Sequence, residues 1–274
     1  MKKLIAMLLA TIMCMTVLVA CGSEQVTSEG TVNNESSPVT EAGTGEAQGT
    51  TSGVLVVGTN AEFPPFEYLG EDGQPDGFDI ALIKAVAEKL NMEVEIQNME
   101  FNSLVAAIGT KIDAAIAGMT ILPERLEVVD FSEPYYEAVQ HVIVPADSTI
   151  ATIDDLKNKT IGVQLGTTGM TTAAQIEGAT VQSYNKAVDA VNDLNNGRVD
   201  LVIIDRNPAQ VFVSKFDGKI KSIEGAQFGF VPEEYAIALP KGSDMVEKVN
   251  QALAELKADG TFDELVAEYI GEAQ

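Results

Sequence analysis

With 274 residues, 41 acidic against 17 basic side chains and a formal net charge of −24, the chain is a poor partner for nucleic acid or an anionic lipid face. Its 46% hydrophobic content is ample for a packed core. One histidine and two cysteines leave no Cys/His set with metal-ligand spacing, so neither a metal nor another cofactor is expected.

The string MKKLIAMLLATIMCMTVLVAC sets Lys2 and Lys3 before an apolar stretch from Leu4 to Ala20. That is the pattern of a secretory signal, and the stretch is short for a bilayer span of ~20 residues. Its end, LVAC from Leu18 to Cys21, resembles a lipobox, with small Ala20 before a cysteine. By that resemblance residues 1–20 are removed and Cys21 becomes a lipidated N-terminus on the outer side of the cell membrane. Cys14 leaves with the signal, so the mature chain is expected to hold no internal disulfide. Residues 21–53 carry the lipid-bearing cysteine and a stretch rich in Ser, Thr, Gly, Asn and Glu, which cannot bury enough surface to offset its ordering entropy. This reads as a flexible tether with a reach of roughly 30 Å.

From residue 53 short apolar runs alternate with helical patterns, the mark of an α/β protein. GVLVVGTN (53–60) predicts a strand, and GFDIALIKAVAEKLN a helix with Asp79 as N-cap and Ile80, Ile83, Ala87 and Leu90 on one face. EVEIQNM alternates Val94 and Ile96 as a half-buried strand does. FNSLVAAIGT predicts a short helix with Gly109 near its end, and IDAAIAGM a buried strand. The second half repeats the plan: TIGVQLG as strand, TTGMTTAAQI as helix, KAVDAVNDLNNG as helix ending at Gly197, VDLVIID as strand. FNSLVAAIGTKIDAAIAG and YNKAVDAVNDLNNGRVDLVIID each run aromatic–Asn, helix, glycine, then an aspartate opening an apolar strand. That echo predicts two lobes of similar build. A last helix is stopped by Gly260, and Thr261 with Glu264 has capping-box spacing for the next.

The lone His141 reads as incidental, and no phosphate-binding glycine loop or G-x-S-x-G elbow is present. Three places point to a ligand. In AGMTILPER, Gly118 closes a strand, Thr120 offers an N–H and a hydroxyl, and Arg125 offers a planar fork suited to a carboxylate. In VQLGTTG, Thr167 and Thr168 stand at a helix start, where free N–H groups favour an anion. In VIID, Asp205 ends an apolar strand, where open α/β sheets place ligand contacts. Together they suit a zwitterion with a carboxylate and an ammonium on one carbon. Singly they read as a surface ion pair, an ordinary helix cap and a turn residue.

The strings GTNAEFPPFEY, GFDIALIKAVAEKL, AGMTILPERLEVVDFSEPYY, IGVQLGTTG, VIID and LPKGSDMVEKVNQALAELKADGTFDELVAEYIG span residues 54–274 in order. They resemble the family 3 extracellular solute-binding proteins, the polar amino-acid receptors of ABC importers. The resemblance implies a two-lobed periplasmic-binding-protein-like fold of type II with two hinge-strand crossings. Residues 54–134 plus 236–274 would form lobe 1, residues 140–230 lobe 2, and residues 135–139 and 231–235 the hinges. It implies a non-enzymatic, monomeric receptor that closes over an L-amino acid and delivers it to a permease. Arg125, Thr120 and Thr168 match the positions that hold the ligand carboxylate, and Asp205 and the Gly118 carbonyl those that hold the ammonium. Asn60, Phe63, Phe101 and Gln164 match the side-chain walls. Asn60 stands where many relatives carry Asp, Gln164 where some carry Lys, and Leu122 where the motif has Thr or Pro. The first two departures lean toward a neutral side chain. Two other classes compete. One is a dehydratase of cyclic carboxylic acids on the same scaffold, with Glu62 as acid or base. The other is a sensory module, which the lack of a following domain after Gln274 disfavours.

Overall fold

The computed structural model describes residues 53–271. Cys21, the signal-like segment and the tether lie outside the described residues. Val54–Thr59 forms β1, followed by a small three-stranded sheet of β2 (Glu62–Phe63), β3 (Glu67–Leu69) and β4 (Pro75–Asp76). Helix α1 (Phe78–Lys89), β5 (Glu93–Asn98), the short α2 (Leu104–Ala107), β6 (Ala114–Ala115), α3 (Pro123–Leu126) and β7 (Val129–Phe131) follow. After β8 (Tyr136–Ala138) come β9 (Gln140–Pro145), β10 (Thr160–Gln164), α4 (Thr168–Ala174), β11 (Thr180–Tyr184) and α5 (Ala187–Asn195). Then follow β12 (Leu201–Asp205), α6 (Arg206–Ser214), β13 (Ile220–Glu224), β14 (Glu233–Tyr235), β15 (Ala238–Pro240), α7 (Met245–Asp259) and α8 (Thr261–Leu265).

Two five-stranded mixed sheets share one plan. The first runs β5-β1-β6-β15-β7 and the second β11-β10-β12-β9-β13. In each, three parallel strands are followed by one that runs antiparallel and then by a fifth that pairs antiparallel with it and so runs with the first three. Between them in the chain lie β8 and β14, paired antiparallel from Glu233–Ala138 to Tyr235–Tyr136. In chain order β8 falls between the first sheet's β7 and the second sheet's β9, and β14 between the second sheet's β13 and the first sheet's β15.

The internal echo has a physical counterpart. Asp113 opens β6 with its N–H on the Val56 carbonyl (2.7 Å), while its Oδ2 accepts from Val56 N–H (2.9 Å). Asp200 does the same ahead of β12, donating to the Thr160 carbonyl (2.8 Å) and accepting from Thr160 N–H (2.7 Å). Each carboxylate satisfies a strand N–H one residue before the pairing with the next strand begins, and so helps set strand register.

The apolar face of α1 packs on the first sheet, with Ile80, Ile83 and Ala87 fully buried. Around the crossing strands Phe66, Phe78, Tyr135, Tyr136 and Tyr235 form a cluster of edge-on and tilted rings, Phe66 lying 4.9 Å from Tyr136 and 5.3 Å from Tyr235. Burying such a side chain stabilises by ~1.5–3 kcal/mol, and Phe78→Ala would cost ~3–5 kcal/mol.

Three local expectations are corrected. Asp79 is not the N-cap of α1; Gly77 is, and it makes no side-chain cap. Asp79 instead points into the core, where its Oδ2 accepts from Gly118 N–H and Tyr135 O–H, both at 2.8 Å. Thr261 and Glu264 form no capping box: the N-cap of α8 is Gly260, whose φ of 88° stops α7, and Thr261 N–H donates to Asp259 Oδ1. The IDAAIAGM run is buried, but only Ala114–Ala115 is strand, because Gly118 at φ 52° turns the chain. No helix of the described residues is long and apolar enough to cross a membrane.

Candidate functional site

The ends of four apolar strands and the turns after them converge on one cavity between the sheets. The space free of protein atoms there, including what opens to solvent, is about 320 Å³. Asn60, Phe63, Phe101, Gly118, Thr120, Arg125, Gln164, Thr168 and Asp205 all line it, joined by Glu67, Ala117 and Thr167. The nine residues singled out from the sequence come from both lobes, and the fold brings every one of them to the same space.

Arg125 sits in α3, where Pro123 takes an early helix position that needs no N–H donor. The residue is only 8% exposed. Its Nη1 donates to the Thr120 carbonyl at 2.8 Å and its Nη2 to the Gly166 carbonyl of the other lobe at 3.0 Å. The guanidinium lies 5.4 Å over the Phe101 ring. Burial lowers its pKa, against the pull of Glu124 and Glu233, yet a guanidinium keeps its charge near neutrality. No carboxylate forms an ion pair with it among the described residues.

Thr120 faces Tyr235 across an isolated antiparallel bridge. The bridge bonds come from the flanking Ile121 and Ala236, so the N–H of Thr120 turns away from its partner strand. Its hydroxyl is already spent, donating to Glu233 Oε2 at 2.8 Å. Thr168, the first residue of α4, accepts through Oγ1 from Gln140 Nε2 at 3.0 Å. The same Gln140 nitrogen donates to Asp205 Oδ1 at 3.0 Å. Gln140 thus ties the two second-lobe groups together, a positioning role that its place in the apolar run of β9 did not announce.

Asp205 ends β12 and caps nothing with its side chain. Burial, then the nearby Glu233, push its pKa up to about 7, although hydrogen bonds from Tyr235 and Gln140 oppose the shift.

Asn60 and Gln164 meet across the cleft, Gln164 Nε2 donating to Asn60 Oδ1 at 2.9 Å and to the Asn185 carbonyl at 3.1 Å. Asn60 Nδ2 donates to the Met99 carbonyl at 2.9 Å. Phe63 packs beside Phe66, ring centres 6.0 Å apart. A further bond between the lobes joins Lys186 Nζ to Glu62 Oε1 at 2.5 Å. Glu62 lines an open outer depression with Glu100, Asn98 and Asn102, not the closed cavity. The glutamate that does line the cavity is Glu67, which the sequence reading does not single out although it lies in the string GTNAEFPPFEY. Gly166 explains how closely the lobes meet: at φ 81°, any Cβ on it would lie 3.0 Å from the Asn102 Cβ.

His141 is buried in β9 with Nδ1 2.9 Å from Ser222 Oγ, and burial lowers its pKa. Among the described residues no group of three or more His, Cys, Asp and Glu side chains could hold a metal ion.

Residues 55–272 match the family described as bacterial extracellular solute-binding proteins, family 3. The chain belongs to this family. The solute-binding protein is 34% identical over 276 residues to the arginine-binding extracellular protein ArtP of Bacillus subtilis (strain 168), covering 97% of this chain and 96% of that one. It is 34% identical over 224 residues to the L-cystine-binding protein TcyJ of Escherichia coli (strain K12), covering 80% of this chain and 83% of the relative. Among solved structures, an ancestral arginine-binding protein bound to arginine superposes with a TM-score of 0.76 at 39% identity, covering 81% of this chain and 100% of that one. The relatives are binding proteins rather than enzymes, and the fold is that of the type II periplasmic binding proteins.

Proposed function

We propose that this solute-binding protein captures a free L-amino acid with a polar side chain between its lobes and presents the closed complex to an ABC permease. The observation that supports the reading is one cavity with a buried guanidinium at Arg125, just before a strand of the first sheet, and a buried carboxyl at Asp205, at the end of a strand of the second. Arg125 and the N–H of Thr120, with Thr168 opposite, would take the α-carboxylate. Asp205 and the Gly118 carbonyl would take the α-ammonium. Closure excludes water and so strengthens both charge pairs. A ligand stabilises the closed form only by binding it more tightly than the open one.

At the side-chain end, Asn60 and Gln164 offer amide donors and acceptors, and Phe63 and Phe101 offer flat apolar faces. Amides suit a neutral polar group, and flat rings also suit a stacked guanidinium, which fits relatives named for arginine, cystine and histidine. The lobe boundaries proposed are residues 54–134 with 236–274, and residues 140–230, joined by hinges at 135–139 and 231–235. Lipidation at Cys21 would hold the protein at the outer face of the membrane as a monomer. Thermal-shift screening of the purified protein against the twenty amino acids tests the reading. A rise in Tm with one or a few of them is expected, and no rise with any overturns it.

A further inference from the structure

One end of the cavity holds more carboxyl groups than the proposed ligand needs. Glu67 on β3 is fully buried, lines the cavity, and has no hydrogen-bond donor on either oxygen among the described residues. Asp79 on α1 lies close by: its N–H donates to the carbonyl of Phe66, the residue before Glu67, and its carboxylate holds Gly118, which lines the same cavity. Asp79 is equally buried, and its Oδ1 also lacks a donor. Its Oδ2 is held by Gly118 N–H and Tyr135 O–H, which favour the anion on Asp79. From the other lobe Asp205 adds a third carboxyl group, with Glu233 behind it, and the Tyr135 and Tyr235 hydroxyls complete the surroundings. Arg125, the cation lining the cavity among the described residues, is bound to the Thr120 and Gly166 carbonyls.

Two carboxylates face to face in a dry interior do not both keep their charge. One proton between them satisfies Asp79 Oδ1 and one Glu67 oxygen at once. The donors on Asp79 Oδ2 place that proton on Glu67, which then donates to Asp79. The other Glu67 oxygen is left as an acceptor in the wall that Gly118 and Asp205 share. Burial, with Asp79 and then Asp205 adding to it, pushes the Glu67 pKa well above the usual carboxylate range, and burial brings Asp79 to about 6.

We propose that Glu67 is a further ammonium-facing group of this cleft, and that capture of an amino acid expels the proton it shares with Asp79. The O–H bond of the Glu67 carboxyl group breaks, its electron pair stays on the carboxylate, and the proton passes to buffer. The incoming ammonium replaces that proton as the positive charge between the acids. Glu67 thereby becomes a positioning residue whose charge is set by occupancy, and binding strengthens as pH rises. The inference rests on the amino-acid reading.

Isothermal titration calorimetry tests it at pH 7 in buffers of different ionisation enthalpy. The probes are L-arginine, L-cystine, L-histidine and L-glutamine, then the remaining amino acids. The wild type should release protons on binding. Glu67→Gln should still bind but release fewer, down by roughly half or more, with the remainder belonging to Asp205. An unchanged proton count in Glu67→Gln, or none in the wild type, overturns the inference while leaving the receptor reading intact. Absence of heat with every amino acid overturns the receptor reading and this inference with it. Infrared difference spectra of the wild type need no variant: a carbonyl stretch of a buried protonated carboxyl group should fade on binding. Its absence from the ligand-free protein overturns the proposal.

Discussion

At one end of the cavity Arg125 is fixed by two backbone carbonyls and stacked over Phe101; at the other, Asp205, Glu67 and Asp79 crowd together with few donors. The first end holds a charge that pH does not alter. The second holds charges that only an arriving cation completes. If the proposed amino-acid reading holds, the difference means that the end facing the α-carboxylate would supply constant attraction, while the end facing the ammonium would set how binding responds to pH.

The largest effect expected is at the constant end. Arg125→Ala should weaken amino-acid binding by ~3–5 kcal/mol, about two to four orders of magnitude in Kd, because the ligand carboxylate would be buried unpaired. Calorimetry at several pH values checks this. Wild-type affinity in the variant would remove Arg125 from the site.

Asp205→Asn comes next, with a loss of ~2–5 kcal/mol at pH 8 that shrinks at lower pH, where the wild-type carboxyl group is itself neutral. The wild type should lose affinity by up to ~tenfold per pH unit below its pKa of about 7. Stability of the ligand-free protein should move the other way. Asp205 and Asp79 have folded-state pKa values raised to about 7 and about 6, from 3.8. Their contribution is fully present below about pH 4 and is lost as pH rises through 6 to 7. Thermal melts across pH 4–8 should therefore fall with rising pH in the ligand-free protein and flatten at saturating ligand, where the gain in affinity offsets that loss. Parallel slopes would erase the contrast between the two ends.

Gly166→Ala should cost ~1–2 kcal/mol of binding by straining a left-handed residue and crowding Asn102, with little change at either charged end. Small-angle scattering should show a wider ligand-bound particle. The smallest effect belongs to the rim. Lys186→Met removes a half-exposed partner of Glu62 and should weaken closure by less than ~1 kcal/mol, seen as faster ligand release that high salt mimics in the wild type.

Much of this arrangement was legible in the chain. Strand-end glycines, threonines and charges in AGMTILPER, VQLGTTG and VIID mark groups that a folded sheet presents to a cleft. The repeated aspartate before β6 and β12 is visible as a pattern in the sequence. What escaped depends on where side chains turn. Asp79 has the position of a helix cap, yet the core offers it Gly118 and Tyr135 as better donors. Glu67 follows Phe66 as a surface residue of a strand would, and only folding encloses it. The Asn60–Gln164 bond joins residues 104 positions apart, a separation that no local periodicity reveals. Glu62, the acid or base of the dehydratase alternative, bonds to Lys186 instead of lining the cavity.

The order of strands in the two sheets also bears on how the protein is made. The second sheet is built from one unbroken stretch of chain, β9 to β13. The first has β15 wedged between β6 and β7, and that strand lies more than a hundred residues further along. During synthesis the later lobe can therefore finish first, while the earlier one waits with an unfilled slot in its middle. Closing that slot needs a long loop to come together, which slows folding and leaves strand edges open to other chains meanwhile. An exported protein of this topology gains from being held unfolded until its last fifth has emerged.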